Sequence, residues 1–125
     1  MDRKYVLSGF VYAVVGLLLG IYMAATKDHG QFVTHAHIML VGFLLSFVYA
    51  VCHKLWLHEP SATLATIQFY LHHLGSLVLL VGLYAMFAGA ADNDSIGPVL
   101  GLSSITVLIA LLLMGYLLLK SRGAD

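Results

Sequence analysis

Two imidazoles set two residues apart, His35 and His37, open an apolar run that continues to about Cys52. An imidazole in hydrocarbon is costly unless it is paired or ligated, so each is a candidate functional group. Residues i and i+2 on a helix point about 200° apart. One helix carrying His35 and His37 can therefore serve two sites, one on each flank. Imidazole is the standard axial ligand of haem iron, and it suits copper and zinc as well. Two further imidazoles, His72 and His73, lie about two turns or more inside a second apolar run. Adjacent residues diverge by about 100°, so they do not readily share one ion. For them, metal ligation and a hydrogen-bonded role holding helices together stay equally open. His53 and His58, beside Lys54 and Glu59, are expected at an interface with water rather than as ligands.

The elements that must position these groups are membrane spans. The chain has 125 residues, 61% hydrophobic and 10% charged, with a mean hydropathy of +0.95. That is far from a soluble domain. Four runs reach the length of about 18 apolar residues that a spanning helix needs: residues 5–25, 33–55, 62–88 and 97–119. The expected fold is all-α, a single four-helix membrane bundle covering residues 1–125. The first run follows Arg3 and Lys4 as a signal peptide's would, but it is too long for a signal core, and Tyr22–Met23–Ala24–Ala25 is a weak cleavage site, so a retained helix is expected. The single cysteine, Cys52, permits no internal disulfide and no thiolate cluster.

Charge sets the orientation. Arg3, Lys4, Lys54, Lys120 and Arg122 flank one side of the spans and only Lys27 the other. Cationic loops are normally cytoplasmic. Both termini are then cytoplasmic, the protein is a multi-pass component of the cell inner membrane, and His35 and His37 lie just below the outer surface. Trp56, Tyr5, Tyr22 and Tyr116 fall near the interfaces, where amphipathic rings are favoured. In the first loop, Lys27 and His29 sit above the outer end of span two. They are either solvated or paired with an anionic group such as a porphyrin propionate. Asp94 or Ser95 is placed to cap span four, with Pro98 in its first turn. Span four is otherwise lipid-facing, with the least chemistry.

Small residues mark close packing. Gly16 and Gly20 have small-xxx-small spacing. His35 falls on an α-helical stripe with Gly42, Ser46 and Ala50, while His37 shares a face with Leu40, Val41, Leu44 and Val48. His72 shares a stripe with Gly75, Ser76 and Leu79. Tyr12, deep in span one, needs a hydrogen-bond partner. Spans two and three form an antiparallel hairpin, so His72 is level with about Leu45, some ~12–15 Å from His35 at 1.5 Å per residue. A His35–His72 pair on one iron in one hairpin is disfavoured. Either the span-three histidines make a separate site, or a second copy completes the outer one.

The run Thr34–His35–Ala36–His37–Ile38–Met39–Leu40–Val41–Gly42–Phe43 resembles subunit I of the haem-copper oxidase and nitric oxide reductase superfamily. There, a His-x-His on one membrane helix supplies axial ligands to two haems, and ligands come from the second helix of each four-helix arc. The resemblance implies that His35 and His37 bind haem b. It also implies a homo-oligomer, a trimer by preference, that rebuilds three arcs, and a quinol or cytochrome as electron donor. This chain departs from the family in two respects. No Asp, Glu, Lys or Arg lies deep in a span, so proton pumping is not expected. His72 and His73 adjoin like the family's copper pair, but on span three. The expected function is therefore a b-type haem protein for electron transfer or for binding O2 or NO. The alternatives are a copper or zinc protein built on His35, His37, His72 and His73, or an accessory subunit without cofactor. No nucleic-acid partner is expected.

Overall fold

The computed structural model describes residues 1–121; Arg122, used above in the charge reading, lies outside them. The described residues form four long helices: α1 (Asp2–Thr26), α2 (Phe32–Leu55), α3 (Ala62–Phe87) and α4 (Asn93–Lys120), each long and apolar enough to cross a membrane. Met1, Lys54 and Lys120 share one end of the bundle, here the basic end. The loops at Lys27 and Asp92 share the other, here the loop end. Hydrogen bonds tie the connections to neighbouring helices. Gln31 Nε2 donates to the Tyr84 carbonyl at 3.0 Å, and the His58 amide donates to Ser121 Oγ at 2.7 Å.

Local chemistry sets the helix ends. Lys27 takes a left-handed conformation (φ 55°) that stops α1. After Pro60, Ser61 Oγ accepts from the Leu64 amide at 3.3 Å and starts α3. α4 begins four residues earlier than expected, and its cap is Asp92, not Asp94 or Ser95: Asp92 Oδ1 accepts from the Ser95 amide at 2.7 Å. That bond holds the Asp92 carboxyl below its usual range. Pro98, expected in the first turn, is therefore the sixth residue of the helix, where its missing N–H leaves the Asp94 carbonyl without its i+4 partner.

α1 packs along α2, and α3 along α4, as two hairpins. Small residues set both approaches. A Cβ on Gly42 of α2 would lie 2.6 Å from the Tyr12 ring of α1, and one on Gly75 of α3 would lie 3.0 Å from Thr106 of α4. The hairpins meet through larger side chains. Towards the basic end, Tyr5, Tyr49, Cys52, Leu57, Met114 and Leu117 form one core; towards the loop end, Tyr12, Ile38 and Leu80 form another. Beside the second core an apolar groove of about 370 Å³ opens between α1 and α3, lined by Val11, Val15, Ile38, Leu77 and Val81 among others.

The outer surface carries exposed Leu7, Phe10, Leu18 and Ile21 on α1 and Leu102, Ile105, Leu112 and Leu119 on α4. A soluble protein does not tolerate so continuous an apolar skin. Long helices that satisfy their own backbone groups and turn apolar side chains outward are what a bilayer requires.

α2 is not α-helical throughout. Ile38–Leu44 is a π-helix, directly after His35 and His37. Wider i→i+5 turns are rare and concentrate at functional sites. They also rotate every downstream residue relative to an α-helical count. The stripe of His35, Gly42 and Ser46 nevertheless lies along α1: a Cβ on Gly20 would lie 3.0 Å from the His35 ring, one on Gly42 2.6 Å from the Tyr12 ring, and one on Gly9 3.5 Å from Ser46 Cβ. Ser46 Oγ also reaches His72 of α3.

Candidate functional site

His35 and His37 are held in the same way by different partners. His35 Nδ1–H donates to the Gly16 carbonyl on α1 at 2.8 Å. His37 Nδ1–H donates to the Val33 carbonyl, one turn back on α2, at 2.9 Å. A carbonyl oxygen only accepts, so in each case the neutral ring carries its proton on Nδ1 and leaves the Nε2 lone pair bare. A backbone carbonyl holding one ring nitrogen while the other is free is the usual outer support of a metal-binding histidine.

The two rings occupy different surroundings. His35 is half-buried in the α1–α2 contact, where a Cβ on Gly20 would lie 3.0 Å from its Cε1. His37 is half-buried on a face whose neighbours Leu40, Leu44 and Val48 are exposed. One helix thus presents one histidine to α1 and the other outward. Lys27 and His29 are both exposed in the loop before α2.

The second pair of histidines lies elsewhere, towards the basic end. His72 is fully buried, and its Nε2 pairs with Ser46 Oγ at 2.9 Å. His73 is half-buried, with Nδ1 3.0 Å from the Tyr12 hydroxyl and Nε2 3.1 Å from Ser8 Oγ. The two rings meet edge to face, 4.9 Å between centroids. The two pairs of histidines have no bonding partner in common. Among the described residues no three His, Cys, Asp or Glu side chains gather to hold a metal ion.

Three groups in this layer were not singled out from the sequence as site-forming. Tyr5, expected at an interface, is fully buried and sits at the centre of the layer. Its ring packs against Tyr49, Phe69, His53, His72 and His73. Its hydroxyl donates to Gln68 Oε1, and Gln68 Nε2 donates to the Ala110 carbonyl at 3.1 Å. This chain joins three helices and gives α4, expected to be inert, a polar role. The available signal was Gln68 itself, an amide in an apolar run with nothing local to bond. His53, expected to meet water, is only half-buried but turns Nε2 inward without a partner and stacks on Tyr5. His58 is exposed, as a loop residue should be.

Tyr5→Phe is expected to lower stability by about 1–3 kcal/mol, because it leaves Gln68 Oε1 buried without a donor. Denaturant titration in detergent micelles reads the loss. Equal midpoints for the variant and wild type would show that the amide finds another partner.

No family model, curated protein or solved structure matches this chain. Its function rests on its own geometry.

Proposed function

We propose that the protein is a b-type haem-binding membrane protein that transfers electrons or binds a diatomic gas, with His37 and His35 as axial ligands to iron on opposite flanks of α2. The observation that carries this reading is the matched pair of Nδ1–H···O=C bonds. Each presents a bare Nε2 in apolar surroundings, the electronic state that an axial ligand must have. Haem needs only one or two protein donors, since its porphyrin supplies the other four. A bare copper or zinc ion needs three or more donors from protein, and the described residues do not bring three together. The donor set therefore favours haem over a free ion.

Bound haem supplies one-electron chemistry and, with one axial position open, a place for a gas. The chain's residues orient and shield. The Gly16 and Val33 carbonyls hold the two imidazoles in one tautomer. Lys27 and His29, exposed above α2, are placed to pair with propionates. Leu40, Leu44 and Val48 beside His37 keep water from that flank. Since His37 faces outward, a second copy is the natural source of the remaining cover, and the preferred assembly is a trimer. The basic end faces the cytoplasm of a cell inner membrane by the positive-inside rule, with a quinol or cytochrome as electron donor.

The test is the absorption spectrum of protein purified from haem-replete cells. A Soret band with sharp reduced α-bands is the expected result. A colourless protein, with or without copper or zinc in its elemental analysis, overturns it.

A further inference from the structure

Among the described residues, every side-chain hydrogen bond between α1 and α3 lies in the basic half of the bundle. Tyr5 bonds Gln68, and Ser8 and Tyr12 bond the two ring nitrogens of His73. From Tyr12 towards the loop end no such bond joins these helices, and there the apolar groove of about 370 Å³ opens between them. Val11 and Val15 form one wall and Leu77 and Val81 the other, with Ile38 of α2 and Leu80 packed behind. Tyr84 stands at the loop end of the groove, where its carbonyl accepts from Gln31 Nε2.

Position, width and chemistry select what fills this groove. Val11, Val15, Leu77, Val81 and Tyr84 are all exposed, on helices long and apolar enough to cross a membrane. The groove therefore opens sideways into hydrocarbon. On α1 it extends from Val11 to Leu19, about 12 Å at 1.5 Å per residue. A volume of about 370 Å³ over that length is a slot roughly 6 Å across, too narrow for a second helix of about 10–12 Å. One extended hydrocarbon chain fits it. The Tyr12 hydroxyl, the polar group at the back, is already bonded to His73 at 3.0 Å, so the slot suits a tail and not a polar headgroup. Nor does it face the second copy placed against His37: Ile38 is buried behind the slot, whereas Leu40, on the His37 side of α2, is exposed.

We infer that this slot binds one acyl chain of a phospholipid of the loop-end leaflet, with the headgroup beside Tyr84. The chain runs from Leu19 and Tyr84 at the top down to Val11 and Leu77, where the α1–α3 hydrogen bonds close the seam beneath it. Lipid tails are as apolar as the slot, so no hydrophobic gain retains the chain there. Dispersion contact with α1, α2 and α3 on three sides retains it, where a lipid lying against a single helix has contact on one. The inference does not depend on iron, since no residue of the slot is a proposed ligand.

The test is native mass spectrometry of the full chain released from nanodiscs of a single phosphatidylcholine. The wild type is expected to keep one phosphatidylcholine per chain under collisional activation that strips the remaining lipid. Val15→Trp and Val81→Trp fill the slot from opposite walls, and each is expected to lose that added mass. Leu112→Trp, on the exposed face of α4, is expected to keep it. Circular dichroism in the nanodiscs checks that each variant is as helical as the wild type. A wild type bare of lipid, or undiminished retention in a folded slot variant, overturns the inference. So does an isoprenoid quinone retained in place of the phospholipid, or a dimer that the slot variants break, since each identifies a different occupant.

Discussion

If the protein holds haem as proposed, His37→Ala is expected to lower the haem content of the purified protein or alter the spin state of its iron, while leaving helical content and the melting temperature of the haem-free form unchanged. The two halves of that expectation come from different features of the site. His37 lies on an outward face, and its one hydrogen bond is to the Val33 carbonyl of its own helix. Removing the ring breaks no hydrogen bond between helices, so stability has less to lose than at His35. An iron held on that flank would lose its donor. Added imidazole should restore the haem content or spin state, since a free ring can occupy the vacated space; it should not rescue a protein that failed to fold. His35→Ala is the harsher companion. It also removes the bond to Gly16 and the ring packed over Gly20, so lower stability should accompany any loss of haem. Normal haem content in both variants would end the assignment of these residues.

The second large effect falls on the helix contact that places the site. Gly42→Ala is expected to destabilise the bundle by about 1–3 kcal/mol, the ordinary cost of overfilling a packed interior, and Gly42→Leu by more. A Cβ at this position would lie 2.6 Å from Tyr12 Cδ1, 2.7 Å from Cγ and 2.9 Å from Cβ. The last two atoms are next to the backbone and cannot swing away. The far end of the ring is held as well, by its hydroxyl bond to His73 at 3.0 Å and by stacking on that imidazole at 5.7 Å. The helices must therefore separate in the π-helical segment, disturbing both histidine pairs together. Gly115→Ala is the control. Nothing lies within 4 Å of a Cβ there, and alanine is the better helix former by about 1 kcal/mol, so this variant should match or exceed wild type. Thermal unfolding followed by circular dichroism in the same detergent separates the two. Equal stability of Gly42→Ala and Gly115→Ala would mean that the α1–α2 approach is looser than these contacts require.

Much of the architecture was legible in the residues because a bilayer imposes simple demands. Helices must be long enough to cross and apolar enough to stay, and both properties are counts along the chain. The start of α3 is equally local, since Pro60 stops one element and the Ser61 hydroxyl caps the next. The cap of α4 was misplaced because Asp92, Asp94 and Ser95 offer similar chemistry, and only the chain's path selects among them.

What one residue does to another across helices was not legible. Composition, spacing and charge determined that there are four apolar helices, that one end is basic, and that His35 and His37 leave α2 on different sides. Tertiary structure decided the rest. It placed Tyr5 at the centre of a buried layer instead of at a surface, since a tyrosine near a helix end suits either place and only neighbours that accept its proton distinguish them. It made Ile38–Leu44 of α2 a π-helix, because hydrogen-bond register within a helix responds to packing that no local pattern encodes. It also gave His35 a carbonyl on α1, and His72 and His73 hydroxyls on α2 and α1. Those partners exist only when separate helices are brought within bonding distance, whereas His37 finds its carbonyl within α2.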